Sequence, residues 1–200
     1  MVHVQGMGAK QKAVAAIYED FKESYAELPR FLVGLKNASR GTKYKLLVDG
    51  NYEQGTCTFK LVFRACRPCI VGFKHYRPMI NIDATHLYGK YKGKLMIAMA
   101  TDANNKIYPL AFVVVESESI ETWDWFLACI RKYVTNWSKL CVISDKRPGI
   151  QAVFRDTSLD FLQPPMTEHC YCLRHLYSNV NTRWNNDTLK NLVWRVASAT

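Results

Sequence analysis

The feature that constrains this chain most is a series of apolar runs, interrupted by one helical pattern, in its middle third. Three runs predict strands, and two of them flank Asp102-Ala103-Asn104-Asn105, whose residue types favour a hairpin turn. An amphipathic helix and a fourth strand follow. In chain order, the predicted elements span residues 79–84, 95–101, 107–115, 120–134 and 140–144. The order β-β-β-α-β predicts an α/β fold with a mixed sheet.

Two carboxylates terminate strands in this series. Asp83 ends the first predicted strand, and Asp145 directly follows the fourth. A helical crossover makes the fourth strand parallel to its neighbour, and right-handed connectivity places it beside the first. The two aspartates are therefore expected on adjacent strand ends, where a cation would relieve their repulsion. Oxygen ligands favour Mg²⁺ or Mn²⁺, and two such ions promote phosphoryl transfer. The alternative is that each aspartate only caps a turn or a helix.

Basic residues lie close to both aspartates in the sequence. They are Lys90, Lys92, Lys94, Lys146 and Arg147. Side chains of this type bind phosphates, so we predict DNA as the partner, the alternative being a solvated loop and strand edge. The chain has a formal net charge of +10, and residues 1–77 contain 13 basic and 6 acidic residues. This surplus favours a polyanionic partner.

The cysteines predict a reducing, intracellular environment. There are seven, an odd number without the spacing of a secreted scaffold, and no apolar run is long enough to suggest a membrane partner. Cys172 and His175 are zinc-ligand types, and Cys66 and Cys69 could supply a second pair. About a hundred residues separate the two pairs. We therefore expect no zinc and give Cys172 and His175 a structural role, bonding each other or the acidic centre.

The segment that precedes the strand series is predicted to be mainly helical. Residues 10–27 have helical spacing, Leu28-Pro29 is expected to break that helix, and Pro29 to begin a second one. A glycine-containing connector follows, with one short strand at residues 44–48. Residues 57–76 are apolar and aromatic, and they fit either a helix or a strand.

Three stretches of the sequence resemble the transposase domain of Mutator-like elements (MULE) of flowering plants. They are IDATHLYGKYKGKLMIAMATDANNKIYPLAFVVVESESIETWDWFL, VISDKRPGI and HCYCLRHL. The resemblance implies a ribonuclease H-like core with a mixed five-stranded sheet and flanking helices. It maps the first two acids of a DDE metal triad onto Asp83 and Asp145, and a Cys-x-x-His element onto Cys172 and His175. It divides the chain into a helical N-terminal segment, the catalytic core and the start of a helical insertion, at residues 1–77, 78–180 and 181–200.

The resemblance also implies an activity. A transposase of this type cuts and joins DNA by two-metal-ion phosphoryl transfer in the nucleus, with terminal inverted repeats and target DNA as partners, and full-length members can form homo-oligomers. The glutamate of the triad is expected beyond residue 200, so we expect this fragment to be inactive. The rival interpretation is a domesticated DNA-binding transcription regulator without catalysis. A nuclease on the same fold is a third interpretation.

Overall fold

A computed structural model describes residues 21–50, 58–88 and 92–198. These residues form one mixed sheet with flanking helices. The helices are α1 (Phe21–Ala38), α2 (Arg67–Phe73), α3 (Ile120–Tyr133), α4 (Pro148–Arg155), α5 (Leu173–Trp184) and α6 (Asp187–Ser198). The strands are β1 (Lys43–Asp49), β2 (Thr58–Ala65), β3 (Met79–Leu87), β4 (Gly93–Thr101), β5 (Ile107–Val115), β6 (Leu140–Ser144) and β7 (Thr167–Tyr171).

The strands are arranged in the order β1-β2-β5-β4-β3-β6-β7. From β1 to β3 all neighbours are antiparallel, whereas β3, β6 and β7 are parallel to one another. The predicted adjacency is confirmed: β6 lies parallel to β3, with Met79 opposite Cys141. The α/β class and the mixed sheet are confirmed with it.

The predicted number of strands was wrong, because the described residues form seven strands and not five. The two additional strands, β1 and β2, form a hairpin that joins the sheet when residues 61–64 of β2 pair with β5. Sequence periodicity left residues 57–76 open between helix and strand, and the structure contains both, because the apolar residues of β2 run on into α2 without a turn signal. The two elements separate at Cys66, where Pro68 occupies the first turn of α2.

The predicted break at Leu28-Pro29 was also wrong. Helix α1 continues through Pro29. Proline removes one amide donor and strains the preceding turn, but packing can offset this cost. Leu32, one turn later, is 2% exposed, so tertiary burial stabilises the helix across the proline.

The β4–β5 hairpin has the turn that its sequence predicts. Asp102 Oδ1 accepts hydrogen bonds from the amides of Asn104 and Lys106, at 2.8 and 2.7 Å. The amide of Asn105 donates to Asp102 O at 3.0 Å, and Asn105 has φ 60°. Asparagine adopts this left-handed conformation more readily than most residues. The turn therefore fixes the register of β4 and β5.

The core lies between the sheet and α3. Trp123 and Phe126 of α3 and Phe63 of β2 are fully buried. The Phe63 ring lies 6.3 Å from Trp125, 6.3 Å from Phe126 and 5.8 Å from Tyr133, measured between ring centroids. Aromatic burial of this kind contributes about 1.5–3 kcal/mol per side chain. The β1–β2 hairpin is thus joined to the same core as the strands that carry the aspartates.

The helices of the described part of the chain include none with the length and apolar character that a membrane span requires.

Candidate active site

The two aspartates lie on neighbouring parallel strands. Asn81 of β3 is opposite Ile143 of β6 in the last pair of this register, and Asp83 and Asp145 each lie two residues beyond that pair. Adjacent strands are separated by about 4.8 Å, so the two backbones are close together at the pair from which both aspartates follow. Asp83 does not end its strand as predicted, because β3 continues to Leu87 through pairing with β4. Asp145 does follow β6 directly.

Each carboxylate is oriented by the amide that follows it. Asp83 Oδ1 accepts from the amide of Ala84 at 2.8 Å, and Asp145 Oδ1 accepts from the amide of Lys146 at 2.6 Å. The second oxygens have other neighbours: Asp83 Oδ2 is 3.7 Å from His175 Nε2, and Asp145 Oδ2 is 3.4 Å from Arg147 Nε. The side chains are 36% and 17% exposed, so both reach solvent.

This donor set fits part of the coordination shell of a hard divalent cation. Two carboxylate oxygens, Asp83 Oδ2 and Asp145 Oδ2, are not bonded to the backbone, and oxygen donors of this type suit Mg²⁺ or Mn²⁺. Within residues 21–50, 58–88 and 92–198, no three His, Cys, Asp or Glu side chains gather as a metal site. The aspartates thus provide two ligands, and a complete shell needs water, substrate oxygens or a further acid.

Glu118 neutralises the cations beside the aspartates. Its Oε2 lies 2.6 Å from an Nη of Arg147 and 3.6 Å from Lys94 Nζ, while its Oε1 accepts from Trp123 Nε1 at 3.1 Å. The Glu118 side chain is only 13% exposed, which strengthens these contacts by limiting solvent screening. Sequence analysis missed Glu118. Its position just before α3 was visible, but its main partner lies 29 residues away.

The five predicted DNA-binding residues therefore fall into different environments. Lys94 and Arg147 are ion-paired with Glu118. Lys92 is exposed, and Lys146 is exposed with its Nζ 5.8 Å from the centre of the Tyr171 ring. Lys90 lies outside the described residues. Of the four that the structure describes, only Lys92 and Lys146 are free of a carboxylate partner.

A cleft of about 540 Å³ separates the start of β4 from the loops that precede α3 and α4. Its lining includes His86, Lys92, Lys94, Glu118 and Arg147. The His86 Nε2 lies 3.0 Å from Lys94 Nζ. The cleft is therefore lined by both positive and negative side chains. Arg147 lines it and also contacts Asp145.

In a comparison with protein-family models, residues 79–179, half of the chain, match the family described as the MULE transposase domain. The chain belongs to this family. The match begins at the first residue of β3 and ends within α5, so it includes Asp83, Asp145 and His175. Membership implies that this Mutator-like transposase domain interacts with DNA. A comparison with curated proteins found no match.

The Cys-x-x-His element of the MULE transposase domain lies against the first aspartate. The amide of Cys172 donates to Ser144 O at 2.7 Å, which anchors the start of α5 to the end of β6. His175, in the first turn of α5, then reaches Asp83. The His175 Nδ1 is buried and has no hydrogen-bond partner among the described residues. We expected Cys172 and His175 to bond either each other or the acidic centre. In the structure, His175 contacts the acidic centre at Asp83.

The other cysteine pair of the transposase domain is far from this element. Cys66 and Cys69 lie at the start of α2, directly after β2, whereas Cys172 follows β7. Five strand spacings separate β2 from β7, a distance of about 24 Å. Ligands in one zinc site lie about 2.0–2.3 Å from the ion, so these two pairs do not share one.

A half-buried histidine contacts the end of β6, next to Asp145. His169 of β7 stacks on Phe154 at a centroid distance of 3.9 Å, and its Nε2 is 2.8 Å from Ser144 Oγ. Burial lowers the pKa of His169. The transposase domain thus favours a neutral imidazole next to the Ser144-Asp145 segment.

Proposed function

We propose that this MULE transposase domain is the catalytic core of a DDE-type DNA transposase with a ribonuclease H-like arrangement. One observation carries the proposal: Asp83 and Asp145 each lie two residues beyond the Asn81–Ile143 pair of the adjacent parallel strands β3 and β6. The order β5-β4-β3-β6-β7, antiparallel on one side of β3 and parallel on the other, supports the ribonuclease H-like part. Asp83 and Asp145 are the proposed ligands of Mg²⁺ or Mn²⁺.

The residues of the site have different proposed roles in cutting and joining DNA. Bound divalent ions supply activation of a hydroxyl and stabilisation of the leaving oxygen in an in-line displacement. Asp83 and Asp145 bind the ions, and the amides of Ala84 and Lys146 fix the direction of both carboxylates. Exposed Lys92 and Lys146 contact phosphates. The glutamate that the sequence resemblance implies would be the third acidic ligand.

The proposal includes a biological setting. Terminal inverted repeats and target DNA are the proposed partners, and the nucleus of a flowering plant is the proposed location. Phosphate contacts give affinity without sequence specificity, so the proposed contacts of Lys92 and Lys146 would support binding to DNA of any sequence.

One observation favours the second candidate, a domesticated DNA-binding regulator without catalysis. Arg147 contacts the Asp145 Oδ2 that an ion would need. In a regulator, this contact persists and the aspartates stay without metal. The two candidates therefore differ in whether the chain binds a divalent ion at Asp83 and Asp145.

Iron-mediated backbone cleavage distinguishes them. Fe²⁺ replaces Mg²⁺ at carboxylate sites, and with ascorbate and peroxide it cuts the polypeptide beside its ligands. We expect fragments that end near residues 83 and 145, suppressed by excess Mn²⁺ and absent in Asp83→Asn and Asp145→Asn. Both variants should still bind DNA, because the basic surface is unchanged.

The matched control is Asp187→Asn, which removes an exposed aspartate whose ion pair is with Lys190. This variant should give the parent fragments. Diffuse cleavage in the parent chain, or the same fragments in the Asn variants at residues 83 and 145, would contradict the metal site and favour the regulator.

A further inference from the structure

Five exposed basic side chains gather at the outer end of the β1–β2 hairpin. We call this group the basic corner. Its members are Arg40, Lys43, Lys45, Arg67 and Lys132. They come from three separate parts of the chain: the loop and strand after α1, the start of α2 and the last turn of α3.

Direct contacts join the first members of the basic corner. An Nη of Arg67 donates to Arg40 O at 3.2 Å, and the Arg67 amide donates to Thr42 Oγ1 at 3.3 Å. Lys43 pairs with Ala65, two residues before Arg67. The two ends of the β-hairpin thus bring their cations to one place.

Two further cations approach from the side of α3. Lys45 Nζ lies 5.4 Å from the centre of the Trp125 ring. Burial raises the pKa of the Cys129 thiol to about 11, and the charges of Lys45 and Lys132 both oppose that rise. Both lysines therefore lie near the same thiol, although Lys132 belongs to α3 and Lys45 to β1.

The charges of the basic corner are uncompensated within the described chain. The ion pairs of residues 21–50, 58–88 and 92–198 involve Arg30, Lys60, Lys94, Arg147, His175 and Lys190, and no member of the corner. Like charges held close together by backbone contacts repel, and a polyanion relieves that repulsion. The corner also contains much of the basic surplus of residues 1–77.

We propose that the basic corner is a second DNA-binding surface, which contacts phosphates of duplex DNA outside the segment held at Asp83 and Asp145. The choice of DNA rests on the proposed function. Four strand spacings, about 19 Å, separate β1 from β3. With phosphates about 3.4 Å apart along a strand, the contacted phosphates lie on the order of six nucleotides from the aspartates. Such contacts fix where the duplex lies without reading its sequence.

The salt dependence of DNA binding tests this surface. The variant is Lys43→Gln with Lys45→Gln, and the matched control is Lys106→Gln with Lys139→Gln, two exposed lysines with no carboxylate partner among the described residues. Both lose two charges. For a 20-base-pair duplex, the slope of log Kd against log salt should fall by about 2 in the corner variant and little in the control. Equal changes in both variants would show a general charge effect and overturn the proposal.

Lysine footprinting tests the same surface without a variant. Acetylation of the intact chain by an amine-reactive ester should be slowed by duplex DNA at Lys43, Lys45 and Lys132, and not at Lys106 or Lys139. Unprotected corner lysines would overturn the proposal, as would equal protection by single-stranded RNA of the same length.

The outcomes separate this inference from the proposed function. Iron-mediated cleavage near residues 83 and 145 together with an unprotected basic corner refutes the inference alone. Protection of the corner without that cleavage refutes the catalytic proposal and leaves the second surface supported.

Discussion

Two regions of this sheet, the candidate active site at β3 and β6 and the basic corner at β1 and β2, differ in how their positive charges are neutralised. Beside the aspartates, Lys94 and Arg147 share one carboxylate, Glu118, which is only 13% exposed. At the basic corner, five cations are exposed and have no carboxylate partner among the described residues. The comparison teaches that net charge alone does not locate a phosphate-binding surface. Lys94 and Arg147, beside the candidate active site, are neutralised, whereas Lys146, which directly follows Asp145 in the sequence, is exposed and has no carboxylate partner among the described residues.

The difference has a physical reason. A site that binds divalent cations has to limit both the repulsion between its carboxylates and the strength of competing internal cations. Glu118 draws Arg147 to a 2.6 Å contact, shorter than the 3.4 Å contact from Arg147 to Asp145. Glu118 is thus the closer partner of Arg147, and under the proposed function this would reduce the competition of Arg147 with a divalent ion for Asp145 Oδ2. The basic corner has no such acid among the described residues, so its positive charges are not neutralised within the chain.

The substitution with the largest expected effect tests whether the basic corner and the candidate active site belong to one folding unit. Phe63→Ala removes the buried ring that joins β2 to α3, and we expect the free energy of unfolding to fall by about 3–5 kcal/mol. Urea denaturation followed by tryptophan fluorescence measures it. Val62→Ala, the half-buried neighbour on the other face of β2, is the control and should cost clearly less. A second unfolding transition would show that the hairpin is a separate unit and would break the comparison.

An intermediate effect is expected from Glu118→Gln. Lys94 and Arg147 lose their shared counter-charge, so the free energy of unfolding should fall by about 1–3 kcal/mol. Two cations are released at the same time, so the salt dependence of DNA binding should become steeper by about 1–2. In this variant, the cations beside the candidate active site would lose the carboxylate of Glu118, and Lys94 would then lack a carboxylate partner among the described residues, as the cations of the basic corner do.

Glu116→Gln is the control for that experiment, because Glu116 is exposed and forms no ion pair with a described residue. If both variants bind DNA with the same salt dependence, then Glu118 does not restrain the two cations.

The smallest effect concerns pH. Burial lowers the pKa of His169 below its usual 6.5, so the unfolded chain binds a proton more readily than the folded one. The stability that this histidine contributes is complete above about pH 6.5 and is lost as pH falls toward the lower pKa of the folded state. Thermal unfolding between pH 7.5 and about pH 5 should show this loss, and His169→Gln should remove it. Equal pH dependence in both proteins would exclude His169 as the cause.

Local sequence signals predicted the strands around the aspartates well. Alternating apolar runs and the Asp102–Asn105 turn are short-range features, and the crossover rule then placed β6 beside β3. The continuation of β3 past Asp83 was missed, because it depends on pairing with β4. Residues 57–76 stayed open between helix and strand for a related reason, since the pairing of β2 with β5 is a tertiary contact that the sequence does not display.

From the sequence we predicted the aspartates of the candidate site and, as one of two alternatives, a contact of the Cys172–His175 element with the acidic centre. The position of the aspartates after strand-like runs is a local signal, whereas the partners of Glu118 and His175 are set by tertiary packing. Arg147 lies two residues from Asp145 in the sequence. Its closer contact is with Glu118, which is distant in the sequence and could not be predicted from local patterns. The basic corner was equally hidden, because its members come from three segments of the chain.

The register of β3 and β6 has a consequence for the order of folding. Pairing of β3, β4 and β5 joins residues close in the chain, whereas Met79 meets Cys141 only after α3 has crossed the sheet. Closing so long a loop costs more chain entropy, so we expect the hairpins to form early and β6 to dock late. The nascent chain would therefore have its positive surface before Asp83 and Asp145 meet. Late docking of β6 would therefore bring the segment that contains Asp145 to β3 only after the rest of the sheet has formed.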